Sequence, residues 1–151
     1  MISRFERFST IISAISRHWH KIATDAMEPY GLKGTYALYL VTISRFEDGI
    51  TSTALAEICS KDKSDVSRAV SAMESGGLII RNSVNKNAYR ALLKLTEDGE
   101  KVANQIKRLA DIAVTRASNG LSDADREVFY TAIELIADNL QTISEKGLID
   151  G

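Results

Sequence analysis

Residues 51–79, TSTALAEICSKDKSDVSRAVSAMESGGLI, carry the pattern from which the rest of the chain can be read. Thr51 offers an N-cap hydroxyl to a short helix whose expected inner side is Leu55, Ile58 and Cys59, although Ala54 stands where a glutamate would complete a capping box. Asp62 is placed to cap a second helix, in which Val66, Ala69, Val70 and Met73 follow the i, i+3, i+4, i+7 spacing of one buried stripe. Gly76 and Gly77 end it. The opposite side of this second helix presents Lys63, Ser64, Asp65, Ser67, Arg68 and Ser71, short hydroxyls and charges with no duty in a core.

Downstream, LIIRN (78–82) and YRALLKLT (89–96) predict two strands around the polar connection 83–88, a hairpin. In its second strand Tyr89, Ala91, Leu93 and Leu95 share one side, while Arg90, Leu92 and Lys94 share the other. Thr96 can cap a following helix with Glu97, Asp98 and Glu100 in its first turn, where the dipole favours anions, and with Val102, Ile106, Leu109, Ala110 and Ala113 inward. Ser122 and Asp125 mark the start of a last helix, with Phe129, Ala132, Ile136, Leu140 and Ile143 as its inner stripe. Upstream, Tyr36, Leu40 and Ile43 mark a largely buried helix ending before Gly49. Before that, Phe5, Phe8, Ile12, Ile15, Trp19 and Ile22 alternate spacings of three and four, a narrow seam running to about Met27 and stopped by Pro29.

With 151 residues, 44% hydrophobic and 26% charged, the chain fits one domain or two small lobes and excludes a multidomain enzyme. No apolar run approaches the roughly 18 residues a membrane helix needs, so no membrane partner is expected. The single cysteine, Cys59, cannot form an internal disulfide, which predicts an intracellular, cytoplasmic protein with a reduced thiol. The N-terminus lacks the compact apolar stretch of a secretory signal and is expected to remain in the mature chain. Net charge is −1, but it is unevenly spread: +1 over 1–49, +3 over 50–96 and −5 over 97–151. The basic middle third is where an acidic partner would sit.

Helix, helix, short turn, helix and hairpin in this order predict a mostly α fold, a winged helix-turn-helix with long N- and C-terminal helices. An α-helix fits the major groove of B-DNA when its outer side chains are small and carry donors for phosphates and base edges, as those of residues 63–71 do. Here the sequence resembles the MarR-type transcriptional regulators, dimeric winged-helix repressors of bacteria and archaea, through 51–79 and YRALLKLTEDGE (89–100). The resemblance implies a recognition helix bearing Lys63, Ser64, Asp65, Ser67 and Arg68, with Ser71 at its margin, and a wing acting on phosphate or minor groove through Arg81, Lys86 and Arg90. Where the family carries an Asp-x-Arg wing signature, this chain has Asn87 and Tyr89, and Arg90 is the nearest substitute. Ser60 likewise stands where a helix-terminating glycine is frequent.

The resemblance further implies a homodimer on a palindromic double-stranded operator. Residues 1–30 would form an N-terminal dimerisation helix, 31–96 the DNA-binding lobe and 97–151 the rest of the dimerisation lobe, with Phe5, Phe8, Ile12, Ile136 and Leu140 at the interface. Many relatives respond to small aromatic acids, for which Trp19, Tyr36 and Tyr39 are the candidate pocket residues. His18 and His20, two apart on a helix, diverge too far to hold one metal ion together, so no metal or other cofactor is expected. There is no glycine-rich phosphate loop, no His-Glu-x-x-His and no nucleophile with a recognisable base, so catalysis is not expected. Two other readings stay open: a winged-helix protein-interaction module without DNA binding, and a regulator answering to oxidant through Cys59 or to metal.

Overall fold

Ser3 begins the first helix by a reciprocal cap: its hydroxyl accepts from the Glu6 amide at 3.1 Å, and the Glu6 carboxylate accepts from the Ser3 amide at 3.1 Å. In the computed structural model, which describes residues 1–83 and 91–149, this helix α1 runs Arg4–Met27. It gives way to a 3-10 turn, Glu28–Tyr30, closed by Gly31 in the left-handed region. Then follow α2 (Tyr36–Ile43), α3 (Ser52–Cys59), α4 (Lys63–Ser75), β1 (Ile79–Asn82), β2 (Leu92–Leu95), α5 (Glu97–Ala117) and α6 (Asp123–Lys146). The chain divides into two compact units, residues 1–111 and 112–151.

The core of the first unit collects the apolar faces of its short elements. Tyr39, Leu40 and Ile43 of α2, Leu55 of α3, Val66, Val70 and Met73 of α4, Ile79 of β1 and Leu93 of β2 are all at most 1% exposed. Each such side chain contributes about 1.5–3 kcal/mol by leaving water. β1 and β2 pair antiparallel with Ile79 opposite Leu95 and Asn82 opposite Leu92. Ile50 adds a bridge to the hairpin, its amide donating to the Leu93 carbonyl at 3.1 Å and its carbonyl accepting from the Leu93 amide at 2.7 Å. The entry to α5 is tied to the end of α4: Thr96 Oγ1 donates to the Gly77 carbonyl at 2.6 Å and accepts from the Gly99 amide at 3.0 Å. Gly99 is required there, because a Cβ would lie 1.9 Å from the Leu78 carbonyl oxygen.

In the second unit α6 starts on the expected Ser122/Asp125 capping box, with the Asp125 amide 3.1 Å from Ser122 Oγ. Arg126 reaches Asp123 at 2.9 Å and the Ser118 carbonyl at 3.4 Å, closing the turn between α5 and α6.

Several expectations need correction. The hydrophobic stripe of α6 is exposed among the described residues: Phe129 is 44%, Ile136 39%, Leu140 49% and Ile143 40% exposed. The α1 seam, expected to meet a partner chain rather than this chain's own core, is likewise exposed, from Phe5 (77%) through Phe8 and Ile12 to Ile22 (45%). Periodicity reports which face avoids water without saying whether the cover is in the same chain. α2 does end before Gly49 as expected, at Ile43, after which the chain turns through 44–49 with Phe46 and Gly49 amides bonding back to the Ile43 and Phe46 carbonyls. On α3 the inward residues are Leu55, Ala56 and Cys59, while Ile58 is exposed, since a helix of two turns has room for one narrow buried edge. Asp62 sits at the N-cap of α4, but its side chain makes no capping bond; only its carbonyl accepts, from Val66. Among the described residues the strands span 79–82 and 92–95, and Lys86, Arg90, Asn87 and Tyr89 lie outside the described residues.

Candidate nucleic-acid interface

The α3–turn–α4 unit fixes one polar face. Thr51 Oγ1 accepts from the Ala54 amide at 3.1 Å, starting α3 as expected. Ser60 ends it at φ 53°, the one non-glycine residue in the left-handed region among the described residues. That reversal lets Lys61 bond its amide to the Ala56 carbonyl at 3.0 Å and starts α4 three residues after Ser60. With Val66, Ala69, Val70 and Met73 inward, Lys63, Ser64, Ser67, Arg68 and Ser71 are all left exposed on α4, together and on rigid backbone.

Asp65 differs from its neighbours. Its side chain is 35% exposed and engaged from two sides: the Tyr39 hydroxyl donates to Oδ2, and Arg68 Nη2 lies 3.8 Å from Oδ1. Burial, and after it the hydrogen bond to Asp65, push the Tyr39 phenol well above the ordinary tyrosine range. No feature of the sequence announces this contact, because an aromatic on a buried helix reads as packing until the facing residue is known. Arg81 of β1 is also engaged, its Nε 3.2 Å from the Glu74 carboxylate of α4, so the hairpin is tied to the far end of that helix.

The candidate pocket residues separate. Tyr36 and Tyr39 are 5% and 0% exposed and belong to the core, ring centroids 6.2 Å apart. Trp19 instead lines an open groove of about 350 Å³ together with Ile22, Leu38, Val41, Leu109 and Lys61. Sequence reasoning missed Lys61, whose proximity to α1 is created by the turn after α3. Cys59 is buried, with Sγ 3.5 Å from the Thr42 hydroxyl. His18 and His20 are exposed on α1, and no group of three or more candidate metal ligands occurs among the described residues. Among the same residues no helix is long and apolar enough to cross a membrane.

This geometry is that of a winged helix-turn-helix, with α4 in the place of the recognition helix and β1–β2 as the wing. Residues 30–88 match the model of the MarR family. The chain is 22% identical over 145 residues to the HTH-type transcriptional regulator BilQ of Clostridioides difficile (strain CD3), covering 95% of this chain and 96% of that protein. Among solved structures, a MarR family regulator from Listeria monocytogenes complexed with 26mer DNA is 25% identical, with a TM-score of 0.83 over 100% of this chain and 99% of that one. CouR from Rhodococcus jostii RHA1, bound to p-coumaroyl-CoA, shares the fold at 22% identity and a TM-score of 0.68, covering 95% of each chain. Over residues 30–88 the chain thus matches the MarR family, and along its length it is similar to solved MarR-family regulators.

Proposed function

We propose that this chain is a cytoplasmic, homodimeric, sequence-specific repressor that α4 docks in the major groove of a palindromic operator and that a small aromatic effector releases. The observation that carries the reading is the α4 face itself. Lys63, Ser64, Ser67, Arg68 and Ser71 stand exposed on a helix whose other side is locked into the core, which is the arrangement that direct readout demands. Residues 31–96 form the DNA-binding lobe in this reading, and 1–30 with 97–151 the dimerisation parts. Arg81, Lys86 and Arg90 serve the wing. The DNA-bound Listeria relative supports the partner.

The test is selection of a duplex from a randomised pool, followed by affinity measurements across a salt series. Arg68→Ala should cost about 1–3 kcal/mol and relax sequence preference if it reads a base edge. Lys86→Ala should weaken all duplexes alike and lower the salt slope by about 1. Unchanged affinity in both variants rejects the assignment.

The Trp19 groove is the place for the effector. Its walls are mostly apolar, with Ser16, His20, Thr35 and Lys61 as the polar groups, and Lys61 directly precedes the Asp62 cap of α4, so a carboxylate paired with this lysine would pull on the start of the DNA-reading helix. A panel of phenolic acids and their coenzyme A thioesters should contain a compound that releases the selected duplex from the wild-type chain, and Lys61→Ala should blunt that release. CouR's ligand makes the thioesters worth including.

A further inference from the structure

In the first two turns of α4 Asp65 is the only carboxylate among hydroxyls and cations, on a face meant to meet a polyanion. A free carboxylate there would oppose binding to every sequence alike. Asp65 is not free. From beneath, the hydroxyl of Tyr39, a residue of α2 with no exposed surface, donates to one oxygen. Along the helix, the guanidinium of Arg68 approaches the other oxygen to 3.8 Å while its own side chain stays 64% exposed.

We propose that Tyr39 and Asp65 are positioning residues for DNA readout: the buried hydroxyl holds the carboxylate, and the carboxylate holds Arg68 in the direction from which it meets a base edge. The inference rests on the DNA-binding reading above and adds to it the source of its specificity. An unrestrained arginine on an exposed helix samples many rotamers and pairs with whichever phosphate is nearest, independent of sequence. A tethered one gives up part of that non-specific attraction, since Asp65 offsets its charge, and keeps its fork aligned for a base. The Tyr39 ring is held by the core and against Tyr36, so the chain of contacts is anchored in rigid structure at its inner end. Asp65 is thereby reassigned, from a residue touching DNA to one that aims a neighbour.

The experiment compares affinity for the duplex selected by the wild-type chain with affinity for a scrambled duplex of equal length and composition. Wild type, Tyr39→Phe, Asp65→Asn, Arg68→Ala and the Tyr39→Phe/Arg68→Ala double variant are measured, each with its thermal unfolding. Tyr39→Phe should lower the selected-to-scrambled ratio about five- to tenfold with little change on the scrambled duplex, because no charge is altered. Asp65→Asn should lower the ratio while raising affinity for the scrambled duplex several-fold. In the double variant the ratio should equal that of Arg68→Ala alone, since the hydroxyl acts only through the arginine. A merely structural role predicts the contrary: equal losses on both duplexes, additive in the double variant and tracking the unfolding temperature, and that result overturns the proposal. If Tyr39→Phe proves unstable, Asp65→Asn decides alone, since the amide keeps the size of the carboxylate and an acceptor for the Tyr39 hydroxyl. Loss of preference in Arg68→Ala but not in Tyr39→Phe or Asp65→Asn overturns the positioning role and spares the DNA-binding reading. A wild-type chain that selects no duplex overturns both.

Discussion

Single residues decide how firmly the α4 face is presented. Ser60 adopts φ 53° with a Cβ in place, and the left-handed conformation costs an L-residue about 1–2 kcal/mol relative to the right-handed one. Ser60→Gly should therefore stabilise the fold by about 0.5–1 kcal/mol once the greater freedom of glycine in the unfolded chain is subtracted, read as a higher denaturation midpoint at constant m-value. A lower midpoint would mean that the hydroxyl contributes more than the strain removes. That Ser60 occupies a glycine position was legible in the sequence, and so was the set of exposed side chains on α4. The engagement of Asp65 by Tyr39 and of Arg81 by Glu74 was not, because both join residues from different elements whose mutual approach local spacing does not encode.

At the scale of elements, caps and breakers were read correctly where they act locally. Thr51, Thr96 and the Ser122/Asp125 box all bond as their spacing requires. The Ser3/Glu6 box that starts α1 is a local S-x-x-E pattern of the same kind. Asp62 breaks the same rule, occupying the cap position without a side-chain capping bond. What local rules could not give is the seating of α5 on the loop after α4, made by Gly99 against the Leu78 carbonyl. Gly99→Ala places a methyl group 1.9 Å from that oxygen. Although alanine is the better helix former by about 1 kcal/mol, the substitution should destabilise the chain by about 2–4 kcal/mol, because backbone must move on both sides. Chemical denaturation checks this, and a neutral result would show that the first turn of α5 shifts freely.

For the whole molecule, the open apolar faces of α1 and α6 dominate. Phe5, Phe8, Ile12, Ile136 and Leu140 are each more than a third exposed, on helices that would be poorly soluble as bare surface. The proposed homodimer covers them, and it also sets two α4 helices about 34 Å apart for successive major grooves. Leu140→Glu should convert the dimer to a monomer by light scattering and weaken the selected duplex at least tenfold, since the second half-site no longer binds as an intramolecular event. A monomeric wild-type chain, or a Leu140→Glu variant that remains dimeric, would remove these faces from the interface.

From its order of residues alone, this chain determined the succession of helices, the hairpin, the identity of the polar helix face and its family resemblance, since each depends on periodicities and caps that span a few turns. Tertiary structure alone decided that Tyr39 reaches Asp65, that Lys61 and Trp19 line one groove, that Ile50 joins the hairpin and that the α1 and α6 stripes stay exposed among the described residues. Those outcomes come from how packed elements meet, and residues distant in sequence become neighbours only when burial of the common core brings them together.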